Sequence, residues 1–407
     1  MRRWFASGMA ALPLLLGGNA VLAQQESAPS HQNGFSFTSP VDVAIGRDHG
    51  FLANDQKRTD NVAIVRTPQL TFTNNSSRSD LTVNYQPEGE LFEHNRNLNA
   101  LNQTASAAFT FRITERLKFK ATDDALQTHD PTRSIAGSLI FLPRHNFEQN
   151  LAHAAVNYDL NPKNTLIVSF DNVAASAALN TLAFPSTGHV RNSGGVSLEH
   201  VLKPKQTLTA TYSILTGGAQ FGGVTYEGLF AGDLTLNLSA GMLEDGGENY
   251  LMSGQVEKRL GKIWTHAGYH RFLSIYGTSI QGGVPIGNDL VLPVGVSRTN
   301  IYQVFSTGIS GKLSRRAGIE VDAEVTRNDS GIANRDINNW AGRLKLDYRM
   351  TDRLKVYTDL QLYNQTYNVF VGAPIDRQRY IAGIQFDVSA HPNRVPNFPE
   401  QTKPTQR

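Results

Sequence analysis

The sequence predicts an all-β fold, a transmembrane antiparallel β-barrel of about 18 strands (16–18), with short periplasmic turns and long outer loops. Three observations carry that expectation. Apolar and polar residues alternate with period two from Val41 to about Ser389. A tight turn of similar composition recurs at every second strand junction. A longer polar or Gly-rich stretch fills the junctions in between.

The alternation is plain in several segments. Leu117, Phe119 and Ala121 share one face, as do Leu234, Leu236 and Leu238. Leu208, Ala210, Tyr212 and Ile214 alternate with Thr207, Thr209, Thr211 and Ser213. Ile319, Val321, Ala323 and Val325 alternate with Glu320, Asp322 and Glu324, and Leu344, Leu346 and Tyr348 with Arg343, Lys345, Asp347 and Arg349. Such strands have one apolar and one polar face.

The tight turns read Ile113-Thr-Glu-Arg-Leu117, Leu160-Asn-Pro-Lys-Asn164, Leu202-Lys-Pro-Lys-Gln206, Leu260-Gly-Lys262, Leu313-Ser-Arg-Arg316 and Met350-Thr-Asp-Arg-Leu354, with Asn74–Arg78 and Phe230–Asp233 completing the set. They set an internal repeat of roughly 40 to 50 residues. About eight such turns give about sixteen strands. A first strand near Val41–Gly46 and a last near Tyr380–Ser389 bring the count to about eighteen. The compressed 216–233 stretch leaves room for an error of two. The longer connections are expected at 47–61, 87–101, 124–146, 174–190, 277–297, 327–337 and 366–377. A repeat propeller needs four strands per unit with both sheet faces buried, which this one-sided polarity does not fit. A soluble sandwich would leave the polar face of every strand unexplained at this chain length.

Composition narrows the class. With 38 Lys+Arg against 35 Asp+Glu, the net charge of +3 excludes a general nucleic-acid role. Mean hydropathy is slightly negative, as expected when lipid-facing and lumen-facing residues alternate. The N-terminus reads as a signal peptide over 1–23. Arg2 and Arg3 precede an apolar core through Leu16, and Val21-Leu-Ala23 precedes the expected cut before Gln24. That places the mature chain in the Gram-negative outer membrane after Sec-type export. The chain has no Cys, which excludes a lipid-anchored lipoprotein, a disulfide and a thiolate metal site. Residues 24–38 are expected to be disordered, 39–390 to form the barrel, and 391–407 to be a disordered Pro-rich tail, since Pro392, Pro396, Pro399 and Pro404 cannot pair in a sheet.

The apolar face is expected to meet lipid, with Phe72, Tyr85, Phe109, Phe111, Tyr158, Phe170, Tyr269, Tyr348 and Phe386 as interfacial aromatics. The polar face is expected to line the lumen. Its candidates are a basic group (Arg112, Lys118, Lys120), an acidic ladder (Glu320, Asp322, Glu324), a second basic group (Arg343, Lys345, Arg349) and the polar set Tyr357, Gln361 and Tyr363. For the acidic ladder and its basic neighbour, cross-strand ion pairing is the preferred reading over a charged transport wall. Hydroxyls, amides and rings suit a sugar-bearing solute and equally any wet wall. The loops 124–146 and 277–297 are candidate plugs. No catalytic, cofactor or metal residues are expected. His266 and His270 share a strand face without a third ligand, and His270 beside Ser274 lacks a positioned carboxylate.

The segments Pro68–Phe72, Ser79–Tyr85, Leu98-Asn-Ala-Leu-Asn-Gln103 and Phe109-Thr-Phe-Arg-Ile-Thr-Glu-Arg-Leu117 carry a resemblance that extends over most of the chain after the signal. Together they resemble outer-membrane β-barrel proteins of exopolysaccharide and PEP-CTERM-type gene clusters in Gram-negative bacteria, and similar acidobacterial barrels. The resemblance implies an outer-membrane channel assisting export of a surface polysaccharide with a periplasmic export protein, and no catalytic residues. Gly383-Ile-Gln-Phe386-Asp-Val388 resembles the terminal-strand signal read by the barrel-insertion machinery, departing from it in ending on Val388. The alternatives are a general or sugar-selective porin, a plugged structural or adhesin-like barrel, and a barrel enzyme acting on lipid.

Overall fold

The computed structural model describes residues 33–50, 58–130, 146–178, 187–216, 218–244, 248–273, 301–329, 337–366 and 375–388. Its strands are β1 (Gly34–Phe37), β2 (Val41–His49), β3 (Thr59–Arg66), β4 (Leu70–Asn75), β5 (Ser79–Phe92), β6 (Ala100–Arg112), β7 (Leu117–Thr128), β8 (Asn146–Asn161), β9 (Asn164–Ala178) and β10 (Thr187–Lys203). They continue as β11 (Gln206–Leu215), β12 (Gln220–Phe230), β13 (Leu234–Glu244), β14 (Glu248–Leu260), β15 (Ile263–Leu273), β16 (Ile301–Lys312), β17 (Ala317–Asp329), β18 (Ile337–Arg349), β19 (Leu354–Gln365) and β20 (Ile375–Phe386).

From β5 to β20 each strand pairs antiparallel with the next. The first four strands form two broken staves. β5 pairs with β4 over Asp80–Tyr85 and with β3 over Glu88–Phe92, so β3 and β4 are one stave interrupted at Thr67–Gln69. β1 pairs with β4 and β2 with β3, so β1 and β2 are another, interrupted at Thr38–Pro40. Each break contains a proline, which cannot donate to the ladder. Ser39 Oγ mends the gap by accepting from the Gln69 amide (2.7 Å) and Gln86 Nε2 (3.0 Å). β2 then pairs with β20, from Val41 opposite Phe386 to His49 opposite Gln378, and closes the ring. Twenty strands thus make a closed antiparallel barrel of 18 staves, within the expected 16–18. In the compressed 216–233 stretch, β11 ends at Leu215 and β12 follows from Gln220, with no further strand among the described residues.

All eight expected tight turns lie on one rim. The hydroxyls of Thr114, Ser314 and Thr351 each accept from the amides two and three residues on, which explains the recurring hydroxyl-x-Arg turn. Where the turn is only two or three residues long, Lys205, Asp233 and Gly261 take φ of 67°, 56° and 64°.

The strands are longer at the opposite rim than the sequence predicts. β2 runs through His49 rather than ending at Gly46, β5 through Phe92, β7 through Thr128 and β17 through Asp329, while β20 begins at Ile375. Most of the expected loops 47–61, 87–101, 124–146, 174–190, 327–337 and 366–377 are therefore trimmed by strand. The reason is chemical: past the lipid both faces of a strand are polar and the alternation fades. The expectation that 24–38 lacks structure is corrected at Gly34–Phe37, which pairs with Leu70–Thr73. Residues 1–23, 391–407 and the loop 277–297 lie outside the described residues.

The two pleat faces differ as the alternation requires. Ile45, Phe170, Tyr212, Leu238, Phe305, Tyr348 and Ile384 are exposed on one face. The other face carries charged and polar residues that touch across non-adjacent staves, which only the concave side of a ring permits. The aromatics Tyr85, Phe111, Tyr158, Phe170, Tyr348 and Phe386 are all exposed on the outer face. Tyr269 pairs there with Phe305, ring centroids 4.7 Å apart.

Candidate functional site

The candidate site is the inner wall. Register places all twelve sequence-predicted lumen residues on its pleat face. Arg112 stands opposite Lys118, with Lys120 two residues on. Glu320 and Asp322 stand opposite Lys345 and Arg343, and those in turn opposite Asp359 and Gln361. The structure joins them unevenly. Arg343 is a hub: Nη1 donates to Glu320 (2.9 Å), while Nε and Nη2 donate to Asp359 (3.0 and 2.8 Å). Gln361 donates to the same Asp359 at 3.1 Å. Tyr363 donates to Gln365 (2.6 Å), Tyr357 donates to Asp42 (3.0 Å), and Lys345 sits 5.2 Å from the Tyr357 ring centre. Lys118 pairs with Asp159 at 3.1 Å. Arg349 lies at the tight-turn rim, outside the hub.

Three of these groups keep contact with water, while Asp359 is buried. The side chains of Arg343 and Glu320 are 28% and 26% exposed, and that of Lys118 37%. Charged groups on a concave wall stay ionised at little cost only where water reaches them.

A second cluster, beside the closing seam, is buried except for Arg66 at its edge and was not expected. Arg377 donates to Asp48 through Nε (3.0 Å) and Nη2 (2.7 Å), and to Asp130 through Nη1 (3.2 Å). Arg379 bonds Glu90 and lies 3.5 Å from Asp48. Arg66 bridges Asp42 (3.3 Å) and Glu88. Beneath them Ala44, Val62, Ile64, Phe92 and Ile381 form an apolar floor, flanked by Leu98 and Tyr357. Asp130 follows β7, so the chain just past that strand turns inward and docks on the far side of the seam. Of the expected plug 124–146, residues 124–128 are strand, and the remainder from 131 lies outside the described residues. A sequence signal existed: Arg377-x-Arg379 and Asp48 continue the period two of β20 and β2. Strands begun at Tyr380 and ended at Gly46 cut it off.

The β5–β6 connection also folds back over the rim. Asp60 accepts from the amides of Asn61 (2.8 Å), His94 (3.1 Å) and Asn95 (2.8 Å) and from Asn95 Nδ2 (2.6 Å), and His94 Nδ1 lies 2.9 Å from it. That hydrogen bond raises the His94 pKa above its ordinary value, with Glu93 adding to the effect. Asp60, Glu93 and His94 are the one trio of metal-ligating groups within 4.8 Å among the described residues. The Asp60 oxygens are already engaged by backbone and amide donors, so the trio works as a clamp on the connection.

Catalytic geometry is weak. His266 and His270 do share the inner face of β15. His266 Nε2 approaches Asp322 at 3.7 Å across β16, where Gly308 leaves room for both. His270 has no hydrogen-bonded carboxylate among the described residues, so nothing there orients it as a base. Asp171 sits between His153 (2.5 Å) and Ser193 (3.4 Å), so the acid separates the base from the hydroxyl.

No family model matches the sequence, and no curated protein matches it. Solved structures do align with it. OpdO of Pseudomonas aeruginosa superposes with a TM-score of 0.47 at 14% identity, over 87% of this chain and 96% of that one. OpdK of the same organism, solved with vanillate, gives 0.46 at 14% identity, over 86% and 98%. OccAB4 of Acinetobacter baumannii gives 0.47 at 7% identity, over 88% and 98%.

Proposed function

We propose that this chain is an outer-membrane channel passing small hydrophilic solutes. One observation carries the reading: a closed ring of staves turns an apolar face outward while Arg343, Glu320 and Lys118 on its inner face remain partly hydrated. A barrel of this width leaves room for an aqueous path, and the partly exposed side chains of Arg343 and Glu320 mark where water reaches the wall. The buried seam cluster, two staves from Arg343, and the inward turn at Asp130 narrow the lumen beside it. A narrowed, ion-paired lumen suits small solutes better than a polymer, so the polysaccharide-export reading is the second choice. In this reading residues 1–23 direct export, with cleavage after Ala23, and Gly383–Val388 engages the insertion machinery.

Single-channel conductance of the refolded chain in planar bilayers tests it. A steady ohmic conductance is expected, with liposome swelling by monosaccharides and amino acids but not by long dextrans. Absence of any conductance would overturn the channel reading and favour a plugged structural barrel. Loss of surface polysaccharide on deletion would restore the export reading.

A further inference from the structure

The outer face of a barrel is convex, yet beside the closing seam it is dented. The dent, of about 1040 Å³, spreads from β18 across β19, β20, β2 and β3 to the end of β5. On the inner side of the same staves Arg379 reaches Glu90 and Arg377 reaches Asp130. At Gly46 the backbones approach so closely that a Cβ would run into the carbonyl oxygen of Tyr380. On the lipid side the small residues Ala63 and Ala382 keep the floor low.

The dent is graded in polarity. Leu344, Leu360, Tyr380, Arg47 and Asn61 are successive cross-strand partners and form one row. Barrel staves tilt by ~35–45°, so a row along the hydrogen bonds also changes height. Leu344 lies mid-strand in β18, whereas Arg47 and Asn61 lie at the loop-side ends of β2 and β3. The row therefore climbs from the hydrocarbon level to the outer rim, apolar below and polar above, with Tyr380 between. Arg47 makes no ion pair with any described residue. The one acid at the upper end, Glu93, accepts a hydrogen bond from Asn61 Nδ2 at 2.6 Å.

We infer that this dent binds one anionic, phosphate-bearing lipid of the outer leaflet, its acyl chain against Leu344, Leu360 and Ala382 and its phosphate on Arg47. A protein partner or second copy has no need of a single cation at headgroup height above an apolar slot, whereas a lipid anion is complementary to both parts. The site is on the lipid side of the wall and stands apart from the channel reading.

The test titrates the full refolded chain in detergent with bis-phosphorylated lipid A, and separately with zwitterionic phosphatidylethanolamine, reading retained lipid by native mass spectrometry. One lipid A per barrel is expected at concentrations that leave phosphatidylethanolamine unbound. Arg47→Ala should weaken retention at least fivefold. Ala382→Trp, filling the slot from outside, should do the same while heat-modifiable gel mobility and conductance stay unchanged. Unaltered retention in Arg47→Ala, equal retention of the two lipids, or a dimer that Ala382→Trp abolishes would each overturn the proposal. Should Ala382→Trp not fold, the Arg47→Ala comparison decides alone.

Discussion

Arg377→Met isolates what the buried seam cluster contributes. The Arg377 guanidinium makes two hydrogen bonds to Asp48 and two to Asp130, and the two carboxylates are 0% and 3% exposed at the side chain. Without the guanidinium, two buried acids face each other's charge in a site water barely reaches. Breaking a buried pair by deleting one partner costs about 3–5 kcal/mol, and burial removes the solvent screening that reduces such costs at a surface. Arg379 at 3.5 Å from Asp48 offsets part of the loss, which places the expected change toward the lower end. The assay is urea unfolding of the refolded barrel followed by tryptophan fluorescence, run as a double-mutant cycle with Asp130→Asn. Arg377→Met should destabilise strongly, Asp130→Asn on its own should do so less, and the two should couple by more than about 1 kcal/mol. Single-channel recordings should show a larger conductance in both, because the first residues of the β7–β8 connection lose their anchor. A change below about 1 kcal/mol in Arg377→Met, or additive effects in the cycle, would refute the claim that Arg377 anchors Asp130 in the lumen.

Two further outcomes follow from named contacts. His94 has a raised pKa through its hydrogen bond to Asp60, so its protonated form favours the docked connection. That contribution is complete below the ordinary histidine range and is lost as pH rises through the raised value. The protection factors of amides 94–99, with the intrinsic base-catalysed rate divided out, should fall across that window in the native chain and stay flat in His94→Gln; an identical profile in the variant would remove His94 from the clamp. Arg343→Met leaves Glu320 and Asp359 without their shared cation, so reversal potentials in a salt gradient should shift toward cation selectivity, and no shift would place Arg343 away from the ion path.

Much of the barrel is written in its period-two segments. Leu234, Leu236 and Leu238 face out and Thr235 and Asn237 face in, as alternation alone requires, and the hydroxyl-x-Arg turns mark one rim. The loop-side ends were illegible for a physical reason. At Pro87-Glu88-Gly89-Glu90 and Thr122-Asp123-Asp124 both strand faces meet polar surroundings, so hydrophobicity no longer reports the fold. The Arg343 hub was half visible, because its partner Glu320 lies on the preceding strand in the alternation. Its other partner, Asp359, sits on a strand read only for Tyr357, Gln361 and Tyr363. The seam cluster joins Asp48, Glu90, Asp130, Arg377 and Arg379 from four distant stretches, and no local pattern announces a meeting that curvature creates.

The position of that cluster bears on assembly. Arg377 and Asp48 are 329 residues apart in sequence, and they meet only when the last stave has found the first. The entropy of closing so long a loop grows only logarithmically with its length, so the expense lies in ordering the staves, and the final pairing is rewarded at once by several buried ion pairs. Those pairs behave as a latch on the closed ring. A chain halted before β20 has no means of engaging it, and retains two open sheet edges with Asp48 and Glu90 stranded beside one of them. Completion of the ring is thereby coupled to the burial of charge, which penalises every unfinished product of synthesis.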